Sequence, residues 1–199
     1  HNILGVKGLG LTGETYCENW LKEQLDERRK EFTSKYTEKG LTMEDDAIAL
    51  AANRFGWGNV VKNTKTFCDD PDIEGTPDII LPKSIEDTKC SWDCFTFPLF
   101  DTVPDKKYVV QLNCYMALTG IKKAGLVYCL LDAPEHIIES EARKISYKEG
   151  YTELDAELFE QVKEQMSYSK YPIEMRIKRF EVTYDEKMIE LLRLWVKEC

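Results

Sequence analysis

Residues 124–131 read AGLVYCLL, an almost unbroken apolar run of strand length. A strand with one wet face alternates polar and apolar residues, whereas a run without polar interruption is buried on both sides. The chain must therefore build a sheet with packed layers above and below it. Helical periodicity supplies the layers: it predicts helices over residues 14–32, 42–54, 105–118, 154–166 and 186–198. In the first, Trp20, Leu21, Leu25 and Phe32 fall at helical spacing. The second opens on Thr42-x-x-Asp45, a capping-box pattern, and Gly56 and Gly58 break it. Thr119-Gly120 ends the third. Further strands are expected over 60–67, 78–81, 85–90 and 174–183. With no internal repeat, linker or low-complexity stretch, the expectation is α/β: a single domain over 1–199 with a mixed central β-sheet flanked by helices.

The bulk numbers narrow the function classes. At 43% hydrophobic and 32% charged, the 199 residues can bury a full core without staples. No apolar run nears the roughly 20 residues of a membrane span, and no secretory h-region is visible, so no membrane partner is expected. Seven cysteines, at 17, 68, 90, 94, 114, 129 and 199, include no C-x-x-C pair, and His1 and His136 are the only histidines. That composition speaks against a zinc site or a disulfide framework and for buried free thiols in a reducing, cytoplasmic setting. The net charge of −9 runs against nucleic-acid binding, which normally needs a basic surface. The charge is uneven, however. Basic groups occur at Arg28-Arg29-Lys30, Lys35, Lys39, Lys62, Lys65, Lys106-Lys107 and Lys122-Lys123, while Glu135, Glu139, Glu141, Asp155, Glu157 and Glu160 concentrate acid in the last third.

Chemistry concentrates in Gly75-Thr76-Pro77-Asp78-Ile79-Ile80-Leu81-Pro82-Lys83-Ser84-Ile85-Glu86-Asp87-Thr88-Lys89. Two short strands flank a turn in which Pro82 suits the second position. A turn centred between Pro82 and Lys83 places Asp78 directly opposite Asp87, on the same face. Like charges so opposed repel, their Cβ atoms being about 4.5–5.5 Å apart. A divalent cation with oxygen ligands would offset that repulsion. Alternation puts Lys89 on the face of Asp87. A metal and an ammonium converging on one point suit attack on a phosphodiester, with the metal activating water and the lysine orienting it or offsetting developing charge. On spacing alone, a charged surface hairpin accounts for the same residues equally well.

Pro77-Asp78 followed nine residues later by Asp87-Thr88-Lys89 resembles the PD-(D/E)XK nuclease signature. Gly40-x-x-x-Glu44-x-x-Ala47-Ile48 resembles the first motif of the viral-recombinase branch, the lambda exonuclease and YqaJ type, and Gln111-x-x-x-Tyr115 resembles its final motif. The four elements span residues 40–115 of a motif-bearing core at about 40–131. The resemblance implies a Mg²⁺- or Mn²⁺-dependent nuclease with Asp78 and Asp87 as principal metal ligands, aided by the Thr88 carbonyl. Glu44 would be a further carboxylate near the metal. Lys89 would sit beside the attacking water, and Gln111 would position that water or the scissile phosphate. Tyr115 would face DNA or simply pack. Glu86 and Thr88 depart from the family's apolar pattern, which leaves Glu86 as a rival ligand.

The implied activity is 5′ to 3′ digestion of duplex DNA from free ends in phage-type recombination, within a bacterial or phage-infected cell. A single-strand annealing protein and a homo-oligomeric ring would be its partners. An endonuclease and a nuclease-like DNA-binding module without catalysis remain alternatives. Arg28 or Arg29 could grip a terminal phosphate, with solvated helix charge as the plainer account. Of Trp92, Phe95, Phe97 and Phe100, Trp92 is the best aromatic for DNA contact, against core packing. Gly8-x-Gly10-x-x-Gly13 spells a dinucleotide fingerprint but lacks its flanking strands, so a flexible loop is expected there. With Cys199 alone lying late in the chain, no iron–sulfur cluster of the kind some relatives carry is expected.

Overall fold

A computed structural model describes residues 11–30, 34–69 and 73–197. The elements run α1 (Leu11–Asp26), α2 (Lys35–Thr42), α3 (Glu44–Phe55), β1 (Phe67–Asp69), β2 (Ile73–Gly75), β3 (Ile79–Ile80) and β4 (Ile85–Cys90). They continue with α4 (Lys106–Thr119), β5 (Lys123–Cys129), α5 (Glu135–Lys148), α6 (Ala156–Gln165), a 3-10 turn (Ile173–Met175), β6 (Ile177–Thr183) and α7 (Glu186–Val196). The main sheet has the order β3-β4-β5-β6, with β4 and β5 parallel and the outer pairings antiparallel. β1 and β2 form a separate antiparallel pair. The architecture is the expected α/β domain with a mixed sheet.

β5 explains the apolar run. Its even-numbered residues Ala124 and Leu126 join Ile85, Phe180 and Val182 under Leu112, Tyr115 and Met116 of α4. Its odd-numbered Val127 and Cys129 meet Ala47 and Ala51 of α3 on the opposite face. Burying Leu126 and Val127, both at 0% exposure, contributes on the order of 1.5–3 kcal/mol apiece. α4 begins where Asp105 accepts the Lys107 N–H and ends at the left-handed Gly120.

Several expectations fail for identifiable reasons. Residues 60–66 form no strand, because the segment finds no ladder partner and only Phe67–Asp69 pairs. Thr42 closes α2 rather than opening α3, whose N-cap, Met43, makes no side-chain bond; the side chain used for capping is Ser34, which accepts the Thr37 N–H. Helix α1 stops at Asp26 and leaves Trp20, Leu21 and Leu25 more than half exposed. Phe32 and residues 8–10 lie outside the described residues. Helix α5 has no counterpart in the sequence reading: its acids mask the buried Ile137, Ile138 and Ala142, which pack with Val162 and Met166 of the α6 region. The described cysteines are unpaired, but Cys68 and Cys94 are exposed rather than buried.

Candidate active site

The hairpin forms in the expected register. Leu81 N–H donates to Ser84 O across the turn at 2.8 Å, and Ile79 pairs with Glu86 and Ile80 with Ile85. Extended by one residue, that register sets Asp78 against Asp87. The Thr88 N–H reaches Asp78 Oδ2 at 3.1 Å and fixes its side chain beside β4. Asp87 is 1% exposed. Lys89 Nζ stands 2.6 Å from its Oδ2 as an ion pair, outside hydrogen-bond geometry, so both carboxylate oxygens are buried without a hydrogen-bond partner.

The electrostatics follow from that crowding. Burial pushes the Asp78 carboxyl up to about 7, helped by the Asp87 charge and opposed by Lys89 and the Thr88 N–H. Asp87 is raised as well, by burial foremost, with Lys89 opposing. For Lys89, burial alone would lower the pKa, but the charge and contact of Asp87 and the charge of Asp78 outweigh it and raise it.

Glu44 opens α3, and its charge adds to the rise of both aspartates as the smallest of the named causes. It is engaged by Lys62 Nζ, 2.6 Å from Oε2. Gln111 Nε2 donates to Tyr115 Oη at 2.7 Å on α4. The Tyr115 ring is 9% exposed and lies so close to Gly75 that a Cβ there would come within 2.6 Å of it. Packing therefore accounts for the ring, while its hydroxyl accepts from Gln111. Burial raises the Tyr115 pKa, and Asp87 and Asp78 add to the rise.

Other sequence candidates fall elsewhere. Glu86 is not a rival ligand: Arg179 Nε and Nη2 hold its two oxygens at 2.9 and 2.8 Å, and Ser84 Oγ donates to it at 2.8 Å. This ion pair crosses β5 over Gly125, where a Cβ would lie 1.9 Å from Glu86 Oε2. Glycine inside an otherwise apolar strand was the available signal for such a crossing. Arg28 and Arg29 follow the end of α1, not its body. Arg28 pairs with Asp26 at 2.5 Å, and neither arginine contacts the carboxylate group among the described residues. Trp92 packs edge-on against Tyr36 at 5.2 Å, with Lys35 Nζ 4.7 Å from its ring centroid, and leans on the α5–α6 cluster. Beside Lys89 opens a cavity of about 790 Å³, lined by Ser91, Trp92, Phe100, Lys107 and Tyr108 among others. The Ser91 hydroxyl is buried without a partner. Two lysines pin the wall: Lys39 Nζ donates to the carbonyls of Ser91, Trp92 and Leu131, and Lys178 Nζ to those of Pro98, Leu99 and Asp101.

Among the described residues no group of three His, Cys, Asp or Glu side chains stands ready to hold a metal ion. The donor chemistry nevertheless fits a hard dication. Two opposed carboxylates, one of them buried with neither oxygen hydrogen-bonded and a single ammonium paired to it, are what such an ion satisfies.

No protein-family model matches the chain, and neither does any curated protein. Solved structures do. A phage-related exonuclease from Haemophilus somnus 129PT superposes with a TM-score of 0.76 at 25% identity, over 95% of this chain and 79% of that one. An alkaline exonuclease from Laribacter hongkongensis gives a TM-score of 0.65 at 15% identity, over 99% and 80% of the two chains. The same exonuclease in complex with dAMP gives 0.63 at 15% identity, over 95% and 78%. Among the described residues no helix is long and apolar enough to cross a membrane. The chain has the fold of the phage-related and alkaline exonucleases, the lambda exonuclease-like branch that its four motifs resemble.

Proposed function

We propose that this chain is a Mg²⁺- or Mn²⁺-dependent deoxyribonuclease of the PD-(D/E)XK type, acting as a 5′ to 3′ exonuclease on duplex DNA from free ends. The observation that carries the reading is Asp87, buried opposite Asp78 with neither oxygen in a hydrogen bond and the Lys89 ammonium paired to one of them, in a fold shared with exonucleases. The similar structure solved with dAMP supports a nucleic-acid substrate.

When bound, the metal would supply a Lewis acid for the phosphate and an acidified water. Asp78 and Asp87 would hold it, with Glu44 and the Thr88 carbonyl completing the oxygen set. Lys89 would keep its ammonium against the scissile phosphate, where it offsets charge as the water attacks. Gln111, steered by the Tyr115 hydroxyl, would orient that water or the phosphate. The lined cavity beside Lys89 is large enough for a nucleotide unit. A single-strand annealing protein and a ring-shaped homo-oligomer go with this reading as partners.

The test is digestion of linear, circular, 5′-blocked and 3′-blocked duplexes with Mg²⁺ and with chelator. Linear DNA with a free 5′ end should be degraded only with metal, and circular DNA should survive. Cutting of the circle would replace the exonuclease reading by an endonuclease, and failure to cut any DNA would leave a binding module. Asp87→Asn should abolish metal-dependent cleavage with the fold intact by circular dichroism; persisting activity would remove Asp87 from the site.

A further inference from the structure

Lys62 lies at the surface, paired with the carboxylate of Glu44. Its Nζ lies 2.6 Å from Glu44 Oε2, and its side chain is 41% exposed against 20% for that of Glu44. The pair sets a cation on the carboxylate that opens α3. Its position is imposed by its neighbour. Asn63 N–H donates to Asp78 O at 2.7 Å, and Asn63 Nδ2 donates to Pro77 O at 2.9 Å and to Lys65 O at 2.9 Å. The Lys65 N–H returns to Asn63 Oδ1 at 3.1 Å. The strandless segment 60–66 is thus hooked onto the very backbone that carries Asp78, and the hook delivers Lys62 to Glu44.

We infer that Lys62 is a DNA-backbone contact held in reserve by Glu44, which couples metal loading to substrate binding; this rests on the nuclease reading above. In the metal-free protein the ammonium neutralises Glu44. A dication drawn to the same carboxylate competes with Lys62 for its charge, because each cation on Glu44 weakens its attraction for the other. Once displaced, the ammonium remains tethered by Asn63 at the edge of the site, where a duplex would lay its phosphates. Lys89 cannot play this part, because it is enclosed beside Asp87, with its side chain 24% exposed. The outer lysine is the one with the freedom to exchange partners.

The experiment uses the full chain and two readouts that need no turnover. Mn²⁺ binding is measured by calorimetry without DNA. Binding of a labelled duplex end is measured by fluorescence anisotropy in Ca²⁺ over a salt series. Lys62→Met keeps the aliphatic stem and removes the charge. It should bind Mn²⁺ about threefold to tenfold tighter, since the internal competitor is gone, and bind DNA several-fold more weakly, with a salt slope smaller by about 1. Asn63→Ala should weaken DNA binding with Lys62 still present. Unchanged or weaker Mn²⁺ binding in Lys62→Met overturns the exchange, and unchanged DNA affinity and slope overturn the delivery. If the wild-type chain binds Mn²⁺ and cuts DNA while the variant matches it in both assays, this inference alone falls. If the wild-type chain does neither, the nuclease reading falls and takes this one with it.

Discussion

Lys89 carries two opposing demands. Its ammonium neutralises a buried carboxylate in the metal-free state, at 2.6 Å, yet the proposed reaction needs it against a phosphate. The same group can serve both because Asp87 has a second buried oxygen, and a metal on the aspartates removes the need for the pair. Lys89→Ala should therefore damage chemistry more than binding. The expected loss is about 100-fold or more in kcat, with duplex affinity in Ca²⁺ within about threefold of wild type. Single-turnover kinetics and anisotropy on one preparation decide it, and equal losses in both would deny the lysine its place beside the reacting phosphate. Glu86, one residue before Asp87, meets the opposite fate. It points to the other face, where Arg179 consumes its charge, so adjacent acids on one strand serve structure and site separately.

At the scale of elements, the Glu86–Arg179 pair braces β4 to β6 across β5. Glu86 is 1% exposed by side chain and Arg179 22%, so removing one partner strands a charge with little access to water. Arg179→Met alone should cost about 3–5 kcal/mol, whereas Glu86→Leu with Arg179→Met should cost much less, because an apolar replacement of both removes the desolvation penalty too. Urea unfolding of the two singles and the double closes the cycle; additive losses would mean that the brace is not a unit. Elements of this kind mark where sequence reading stops. β5, α4 and the hairpin register were legible because each is written locally: an apolar run, an Asp105 cap with a Gly120 stop, and a proline turn. The brace pairs residues 93 positions apart, and only Gly125 hints at it. Segment 60–66 looks like a strand by composition, but Asn63 donates its hydrogen bonds to the carbonyls of Asp78, Pro77 and Lys65 rather than into a ladder. α5 escaped because its stripe of Ile137, Ile138 and Ala142 is buried by α6, a partner that the local pattern does not name. Of the site, the Asp78–Asp87–Lys89 face was readable from alternation, while the roles of Lys62 and Asn63 depend on a loop that alternation cannot place.

For the whole molecule the question is how a chain of net charge −9 tolerates more negative charge in its interior. Without metal, the answer is protonation. Asp78 ordinarily titrates near 3.8 and is pushed up to about 7, by burial and then by Asp87. The folded state therefore keeps a proton that the unfolded chain releases. Below about pH 4 both states hold it and pH has no leverage. Between about 4 and 7 the unfolded chain has lost the proton and the folded one has not, so stability falls as pH rises; above 7 the dependence flattens. Asp87, also raised, steepens the same trend. Under the proposed function a dication would replace the proton as the neutralising charge and compete with it, so metal should stabilise the protein little at pH 5 and strongly at pH 8. Thermal unfolding of the chelated and the Mn²⁺-loaded protein across that range should give two curves that diverge upward from about pH 6. In Asp78→Asn the chelated curve should lose much of its slope. Parallel curves, or a chelated protein that gains stability from pH 4 to 7, would mean that the aspartates do not meet in the folded chain as charges in need of a cation.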